Sequence, residues 1–432
     1  MPNKKYYEIP LTRFRDVLKD KNFLFLWLGQ LISNFGDRLN QMALLALVYQ
    51  RNPGSEIALA KLISFTIIPV FLIGPVAGVW VDRFNRKNIM IISDILRGAL
   101  VLCIPLFIIW NQMLLIYLAI FLAFSISRFF IPSKMAIIPE LVSKDKLLMA
   151  NTLQDTTHMI GNVVGLVVAG VIVNIRYIGA IGGFYIDAAS FFISAAFIAL
   201  IVQKEFKSRI DEDLRVTKEA LGKSLRRSVL SELKEGIGYL VKYSNMRFVI
   251  AAFFVLMAGI GTISCVIIVF IQDAFGTATR DLGFMGMFLV GGLFLGTVLY
   301  GRFGQKLKKR QVVLMSFVAS GVAIVLFTIF VDKFHNLLVA AALSALLGVM
   351  VSPIMVSTNT LTQETIPQEV RGRIFSSLEA VIHLAFLVFM FLAALIARNV
   401  DRFWILITTG MVFSVAGLVG IIWSARPRKT CP

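Results

Sequence analysis

Twelve apolar runs follow one another along this chain, at 23–49, 57–81, 89–110, 114–138, 147–173, 178–202, 248–271, 283–300, 312–331, 337–360, 374–397 and 403–423. Each is close to the ~20 residues that cross the hydrocarbon core of a bilayer as a helix. Short polar turns separate them, except for one long polar stretch from Gln203 to Arg247, which holds eleven basic and seven acidic residues. The end of that stretch, 231–243, alternates apolar and charged residues at helical spacing, as an amphipathic helix on a membrane surface does. The pattern predicts an all-α membrane protein. Its twelve transmembrane helices form two pseudo-symmetric six-helix halves, 1–202 and 248–432, joined by a cytoplasmic linker at 203–247.

The polar positions set the orientation. With the N-terminus inside, the outer turns hold six basic residues, Arg51, Arg176, Arg280, Lys333, Arg398 and Arg402, against thirty-two in the inner segments. Basic residues are retained on the cytoplasmic side, so both termini are expected in the cytoplasm of a multi-pass protein of the inner, or plasma, membrane. The halves also repeat. At an offset of 224, Glu140 falls on Glu364, Asp145 on Glu369 and Asp155 on Glu379, and the basic hairpin at 82–87 recurs at 301–306 without its aspartate. Duplicated six-helix units place a substrate site at the midplane between two rocking halves.

Composition removes the soluble alternatives. Hydrophobic residues make up 58% of 432 and charged residues 16%, where a soluble domain carries about 25% charged residues. The net charge of +18 sits in short clusters between apolar runs, a topology signal rather than a nucleic-acid face. Cys103 and Cys265 fall in apolar runs and Cys431 in the tail, so neither a disulfide framework nor a metal-ligand set is expected. The N-terminal region shows no small-residue cleavage site after its first apolar run, and no cleaved signal peptide is expected. Phosphate-binding loops, a Gly-x-Ser-x-Gly elbow and clustered metal ligands are missing from the sequence. No enzyme activity, cofactor or ATP drive is therefore expected.

Ionisable side chains inside a span cost about 2.5–3.5 kcal/mol each on insertion scales and are paired or functional. Here they are Asp37, Arg38, Lys61, Asp94, Arg97, Arg128, Lys134, Asp155, His158, Asp187, Glu379 and His383. Asp37 lies in a polar patch of the first span, Ser33-Asn34-Phe35-Gly36-Asp37-Arg38-Leu39-Asn40-Gln41. A carboxylate there takes up a proton when desolvated and releases it when hydrated or paired, which is what coupling to a proton gradient requires. A structural ion pair is the competing reading.

Asp155 and His158, at i and i+3, share a helix face and form a second possible proton relay, against a simple interhelical hydrogen bond. Glu379 and His383 make a similar pair. Arg128 in the fourth span needs a carboxylate or an anionic ligand. Asp94 and Arg97, nearer the cytoplasm, bring Asp94 within reach of Arg128 or Lys134 as a gating or structural network. The proton-coupling candidates are thus Asp37, Asp155, His158 and Glu379, and the substrate-cavity candidates Asp37, Arg38, Gln41 and Arg128. Thirty-six phenylalanines supply apolar lining for an amphipathic or lipophilic ligand.

The hairpin Gly78-Val-Trp-Val-Asp82-Arg83-Phe84-Asn85-Arg86-Lys87 resembles the loop signature between helices 2 and 3 of the major facilitator superfamily, with Asn85 in place of a glycine. Three stretches look like the drug-efflux branch that includes macrolide and enterobactin exporters: 23–37, from Phe23 through Trp27, Gly29 and Gln30 to Asp37; 132–142, Pro132-Ser-Lys-Met-Ala-Ile-Ile-Pro139-Glu-Leu-Val142; and 366–375, Ile366-Pro-Gln-Glu-Val-Arg371-Gly372-Arg373-Ile-Phe375. The first two also resemble lysophospholipid transporters. The small residues Gly161, Gly165 and Gly170 look loosely like the antiporter glycine motif. The resemblance implies a gate in which Asp82 docks on the start of the eleventh span near Arg371 and Arg373. An anion is favoured at a helix N-terminus, and Gly78, Arg83, Arg86, Asp94 and Arg97 complete the gating set.

The expected function is proton-coupled export of an amphipathic small molecule by alternating access, with sodium left open as the coupling ion. A lysophospholipid flippase with lateral substrate entry is the alternative. The expected partners are the substrate, protons and the lipid bilayer, with no nucleic acid, no metal, and a monomeric chain.

Overall fold

The structure is a computed structural model that describes residues 14–74, 77, 81, 84–143, 146–175, 177–202, 244–277, 279–304, 307–365 and 371–425, the side chains at 148, 244, 245, 363, 365, 371–380, 424 and 425 excepted. Among the described residues the chain is helical, with no strand. A short α1 (Phe14–Leu18) precedes α2 (Lys21–Arg51), α3 (Glu56–Leu72), α4 (Arg86–Ile109), α5 (Met113–Leu141), α6 (Leu147–Asn174) and α7 (Gly179–Ala199). Then come α8 (Ser244–Phe275), α9 (Arg280–Phe303), α10 (Lys309–Phe334), α11 (Leu337–Thr365), α12 (Arg371–Ile396) and α13 (Arg402–Ala425).

From α2 onward the helices occupy the twelve apolar runs in order. Lipid offers no hydrogen bonds, so an apolar run this long must satisfy its backbone internally, and a helix does so within one segment. Among the described residues, nine of the helices are long and apolar enough to cross a membrane, and α12 carries a shorter apolar stretch, Val381–Ile396. The polar patch of α2 and the 17-residue length of α3 set those two apart. Large apolar side chains point outward along the helices, among them Ile109, Leu114, Leu338 and Trp423, each more than 70% exposed. Apolar surface on that scale belongs against lipid. This is an all-α, multi-pass membrane protein.

Helix ends follow local chemistry. Asn85 caps α4 by accepting from Asn88 N at 3.2 Å. Asn336 opens α11 by accepting from Leu338 N at 3.0 Å and Val339 N at 3.3 Å, as short polar side chains do at N-caps. His335, with φ 48°, turns α10 off through the left-handed region.

The chain forms two compact units. In the first (Met1–Ala43, Phe65–Gly165 and Ile175–Asp211), α4 is the central helix and packs against α5 and α7. Its core joins Phe23 and Leu26 of α2 to Met90, Phe130, Ile137, Ala150 and Ile198. Polar contacts close the end of this unit near Arg86. Arg86 donates to Glu140, and Lys87 Nζ donates to Ala199 O, the last carbonyl of α7, at 2.8 Å and to Ile201 O just beyond it at 2.7 Å. Asn22 exchanges two hydrogen bonds with the Val202 backbone, at 2.9 and 3.0 Å.

In the second unit (Leu44–Ser64, Leu166–Asn174 and Glu212–Pro432), α10 packs against α11 and α13 as α4 packs against α5 and α7. Lys309 donates to Glu364 where Arg86 donates to Glu140. The repeated arrangement is what a duplicated six-helix unit predicts. The later parts of α2 and α6, and the start of α3, pack with the C-terminal helices. Thr279 Oγ1 donates to Gly170 O at 3.1 Å, and a Cβ on Gly283 would stand 2.4 Å from Leu166 O, so only glycine allows α9 to lie this close to α6. Of the linker expected at 203–247, residues 203–243 lie outside the described residues, and 244–247 instead form the start of α8.

Candidate functional site

Several charged side chains of the first unit lie close together, with Asp94, Arg97 and Asp187 buried. On α4, Arg97 Nη2 donates to Asp94 Oδ1, one helical turn apart. Asp94 is 0% exposed. The Arg97 guanidinium lies between two rings, 4.6 Å from the centroid of Phe130 on α5 and 4.3 Å from that of Phe191 on α7. A cation between aromatic faces is held by their quadrupoles as well as by its carboxylate, and the pair reads as one packed element. Asp94 therefore takes its partner on its own helix, not Arg128 or Lys134 as expected. The i, i+3 spacing that puts Asp94 and Arg97 on one face is what decides this.

Asp37 on α2 is half-buried and sits in the field of Arg97, Arg38, His158 and Lys134. Arg38 donates to Gln41 Oε1 at 2.7 Å, and its stem lies over Gly165 of α6. On α5, Lys134 faces the charges of Asp155, Asp37 and Arg97. His158 on α6 is exposed, with Nδ1 3.2 Å from Asn162 Nδ2, and feels Lys134, Arg38, Asp37 and Asp155. Trp27 Nε1 donates to Thr157 Oγ1 at 2.9 Å, holding this stretch of α6 to α2. Arg128 on α5 donates to Ser127 Oγ at 3.4 Å.

Asp187 on α7, which the sequence marks as a charge inside a span without a role, is central. It is 0% exposed, lies against Gly36, and has Asp37 and Arg97 as its charged neighbours. Ser190 Oγ donates to Asp187 O at 2.7 Å and stands 3.4 Å from its Oδ1. The sequence marked it only by its charge inside a span; its neighbours there are small, with Ala188, Ala189 and Ser190 following Asp187 and Gly36 beside Asp37.

Of the expected site residues, Asp37, Arg38, Asp94, Arg97, Asp155 and His158 are brought into one charged region. Arg86 instead bonds Glu140 in the peripheral turn, and Gln41 is exposed beside Arg38. Gly78, Asp82 and Arg83, and the side chains of Arg371, Arg373 and Glu379, lie outside the described residues. Among the described residues, no three His, Cys, Asp or Glu side chains stand in a metal-ligand group.

A second polar knot lies in the other unit. Arg402, at the start of α13, donates through Nε to Glu56 at the start of α3, through Nη1 to Asp273 Oδ2 at 2.8 Å, and through Nη2 to Gly54 O at 3.0 Å. From the sequence Arg402 was an outer-loop charge only.

Ionisable side chains inside membrane spans are paired with one another or mark a functional site. The transmembrane secretion effector family matches residues 15–430. The chain belongs to this family of the major facilitator superfamily. The MFS-type transporter YfiS of Bacillus subtilis (strain 168) is 24% identical over 436 residues, covering 96% of this chain and 95% of the relative. Macrolide efflux protein A of Streptococcus pyogenes is 23% identical over 397 residues, 91% and 94% of the two chains. A solved structure of a bacterial homologue of the iron transporter ferroportin superposes with a TM-score of 0.71 at 16% identity, over 95% of this chain and 100% of that one. That likeness shows the major facilitator fold. The protein is an integral membrane transporter of this superfamily, with efflux proteins among its relatives.

Proposed function

We propose that this transporter is a proton-coupled exporter of amphipathic or lipophilic small molecules, working by alternating access with both termini in the cytoplasm. The observation that carries the reading is the acid cluster of half-buried Asp37 with buried Asp94 and Asp187, in which Arg97 acts on all three and is already engaged by Asp94, leaving Asp187 with no cation of its own. A buried carboxyl without a cation of its own is a site for a mobile proton. Desolvation favours its neutral form and hydration its charged form, so a change of access changes proton occupancy. The export direction rests on the efflux relative and on the resemblance of 23–37 and 132–142 to the drug-efflux branch. The basic bias of the turns supports the orientation.

The test is transport by the purified full-length protein in proteoliposomes, with a macrolide, a lipophilic cationic dye and a lysophospholipid, with and without an imposed pH gradient. The reading predicts uphill movement of a drug that stops when the gradient collapses. Movement of the lysophospholipid alone, transport that ignores the pH gradient, or transport driven by sodium in its place would each overturn it.

A further inference from the structure

Asp187 is the acid in the cluster with the least to hold it ionised. Its side chain is 0% exposed. Its Oδ1 would lie 2.5 Å from a Cβ on Gly36, and Ser190 Oγ 2.0 Å from it, so α7 presses this carboxyl directly against the α2 backbone beside Asp37. Ser190 has one hydroxyl proton, and the 2.7 Å bond to Asp187 O takes it, leaving the 3.4 Å approach to Oδ1 secondary. The Asn40 side chain supplies one hydrogen bond. Oδ2 finds no partner among the described residues. The nearby cation, Arg97, is bonded to Asp94 and enclosed by Phe130 and Phe191.

A buried oxygen with no donor is costly as an anion and far less costly as a neutral hydroxyl. From this geometry we infer that Asp187 carries the transported proton, held on Oδ2 and shared with Asp37, a step that rests on the proton-coupled reading above. The charge of Asp37 acts on Asp187, and two carboxylates that interact in this way titrate together rather than independently. Uptake forms one O–H bond on Asp187 from a proton of the aqueous side, and the pair passes from two negative charges to one. Release returns that proton to water and restores both charges. The charges that act on the pair are Arg38 on α2, Arg97 on α4, Lys134 on α5 and His158 on α6, with Asp94 beside Arg97 on α4 and Asp155 acting on Lys134 and His158. Of these charges, Arg97 acts on Asp187 itself, as does Asp37. In this arrangement Asp155 and His158 tune the site, and Asp187 is the carrier that the sequence left unassigned.

Infrared spectroscopy of the full-length protein in lipid, labelled with isotopic aspartate, tests this without any substrate. A carboxylic-acid C=O band belonging to aspartate is expected at neutral pH, shifting in heavy water. D187N should abolish it, D187E should replace it with an unlabelled glutamic-acid band at a new frequency, and D332N, on the far part of α10, should leave it in place. A wild-type protein without the band, or a band that survives D187N in protein that melts like wild type, overturns the inference. If D187N misfolds, D187E decides alone, because an aspartic-acid band that persists in D187E also overturns it. A band lost in D187N while wild-type transport ignores the pH gradient would keep the proton on Asp187 and refute the coupling.

Discussion

Arg86 at the start of α4 donates to Glu140 near the end of α5, and 224 residues after Glu140 the acid recurs as Glu364, taking a bond from Lys309 at the start of α10. Two ion pairs at matching places in two units are more than a sequence likeness. In each unit a cation opening the central helix ties down the far end of the next one, so the repeat extends to the way the helices are fastened.

These pairs are partly exposed, at 23% and 33% for Arg86 and Glu140. Glu140→Gln and Glu364→Gln are each expected to cost only about 0.2–1 kcal/mol of stability. Exchanging the charges, Arg86→Glu with Glu140→Arg, should restore part of the loss. A double-mutant cycle on thermal unfolding in detergent reads the coupling, and a cycle that sums to zero would remove the pair as a fastening.

The pair on α4 is another matter. Arg97→Ala leaves Asp94 at 0% exposure without its cation, and breaking a buried pair from one side costs about 3–5 kcal/mol. The double replacement Asp94→Leu with Arg97→Met should recover most of that stability, because it removes both charges and keeps apolar volume between Phe130 and Phe191. Melting temperatures of the single and double variants check this. A single variant as stable as wild type would contradict the buried pairing.

Gly36 allows α7 to lie against α2. Gly36→Ala puts a methyl group within 2.0 Å of Ser190 Oγ and 2.5 Å of Asp187 Oδ1, overpacking that costs about 1–3 kcal/mol. Because the added carbon lands on the proton site, gradient-driven transport should fall further than the melting temperature alone accounts for, and Ser190→Gly in the same chain should return part of the stability. Unchanged transport in Gly36→Ala would place the helices further apart than described.

Arg402 reaches three acceptors at once, which a guanidinium fork does and an ammonium does not. Arg402→Ala leaves Glu56, 5% exposed, without a donor, at a cost of about 1–3 kcal/mol, and frees the start of α3 from α13. Thiol labelling of Ala58→Cys in a Cys103→Ser, Cys265→Ser, Cys431→Ser background should speed up in Arg402→Ala and also in Arg402→Lys. Equal labelling rates in all three would leave the knot without a role in holding α3.

Much of the fold was legible because a spanning helix needs only a long apolar run, and the runs begin and end within a few residues of their helices except at α3, which ends at Leu72 where the run continues to 81. The observed helices extend past several runs, as α10 does by starting at Lys309 where the run starts at 312. Capping groups and the Lys309–Glu364 pair draw polar residues into the last turns, and hydropathy does not register them. The site was legible in part. A charge inside a span declares itself by its cost, so Asp37, Asp94 and Arg97 stood out. Which charges meet depends on which helix faces touch. Asp187 gained its importance only from the contact of α7 with Gly36, and Arg402 only from the packing of α13 near Glu56. Asp94 had a cation three residues away, and the stiffness of its own helix favoured that partner over any on α5.

The central claim, a proton carried through the α2–α7 acid pair, is tested most directly by drug transport in proteoliposomes containing wild-type protein or Asp37→Asn. The wild-type protein should concentrate the drug when a pH gradient is imposed and stop when it is collapsed, whereas Asp37→Asn should still exchange drug down its own gradient and no longer respond to protons. An Asp37→Asn protein that concentrates the drug to the wild-type level under the same gradient would contradict it.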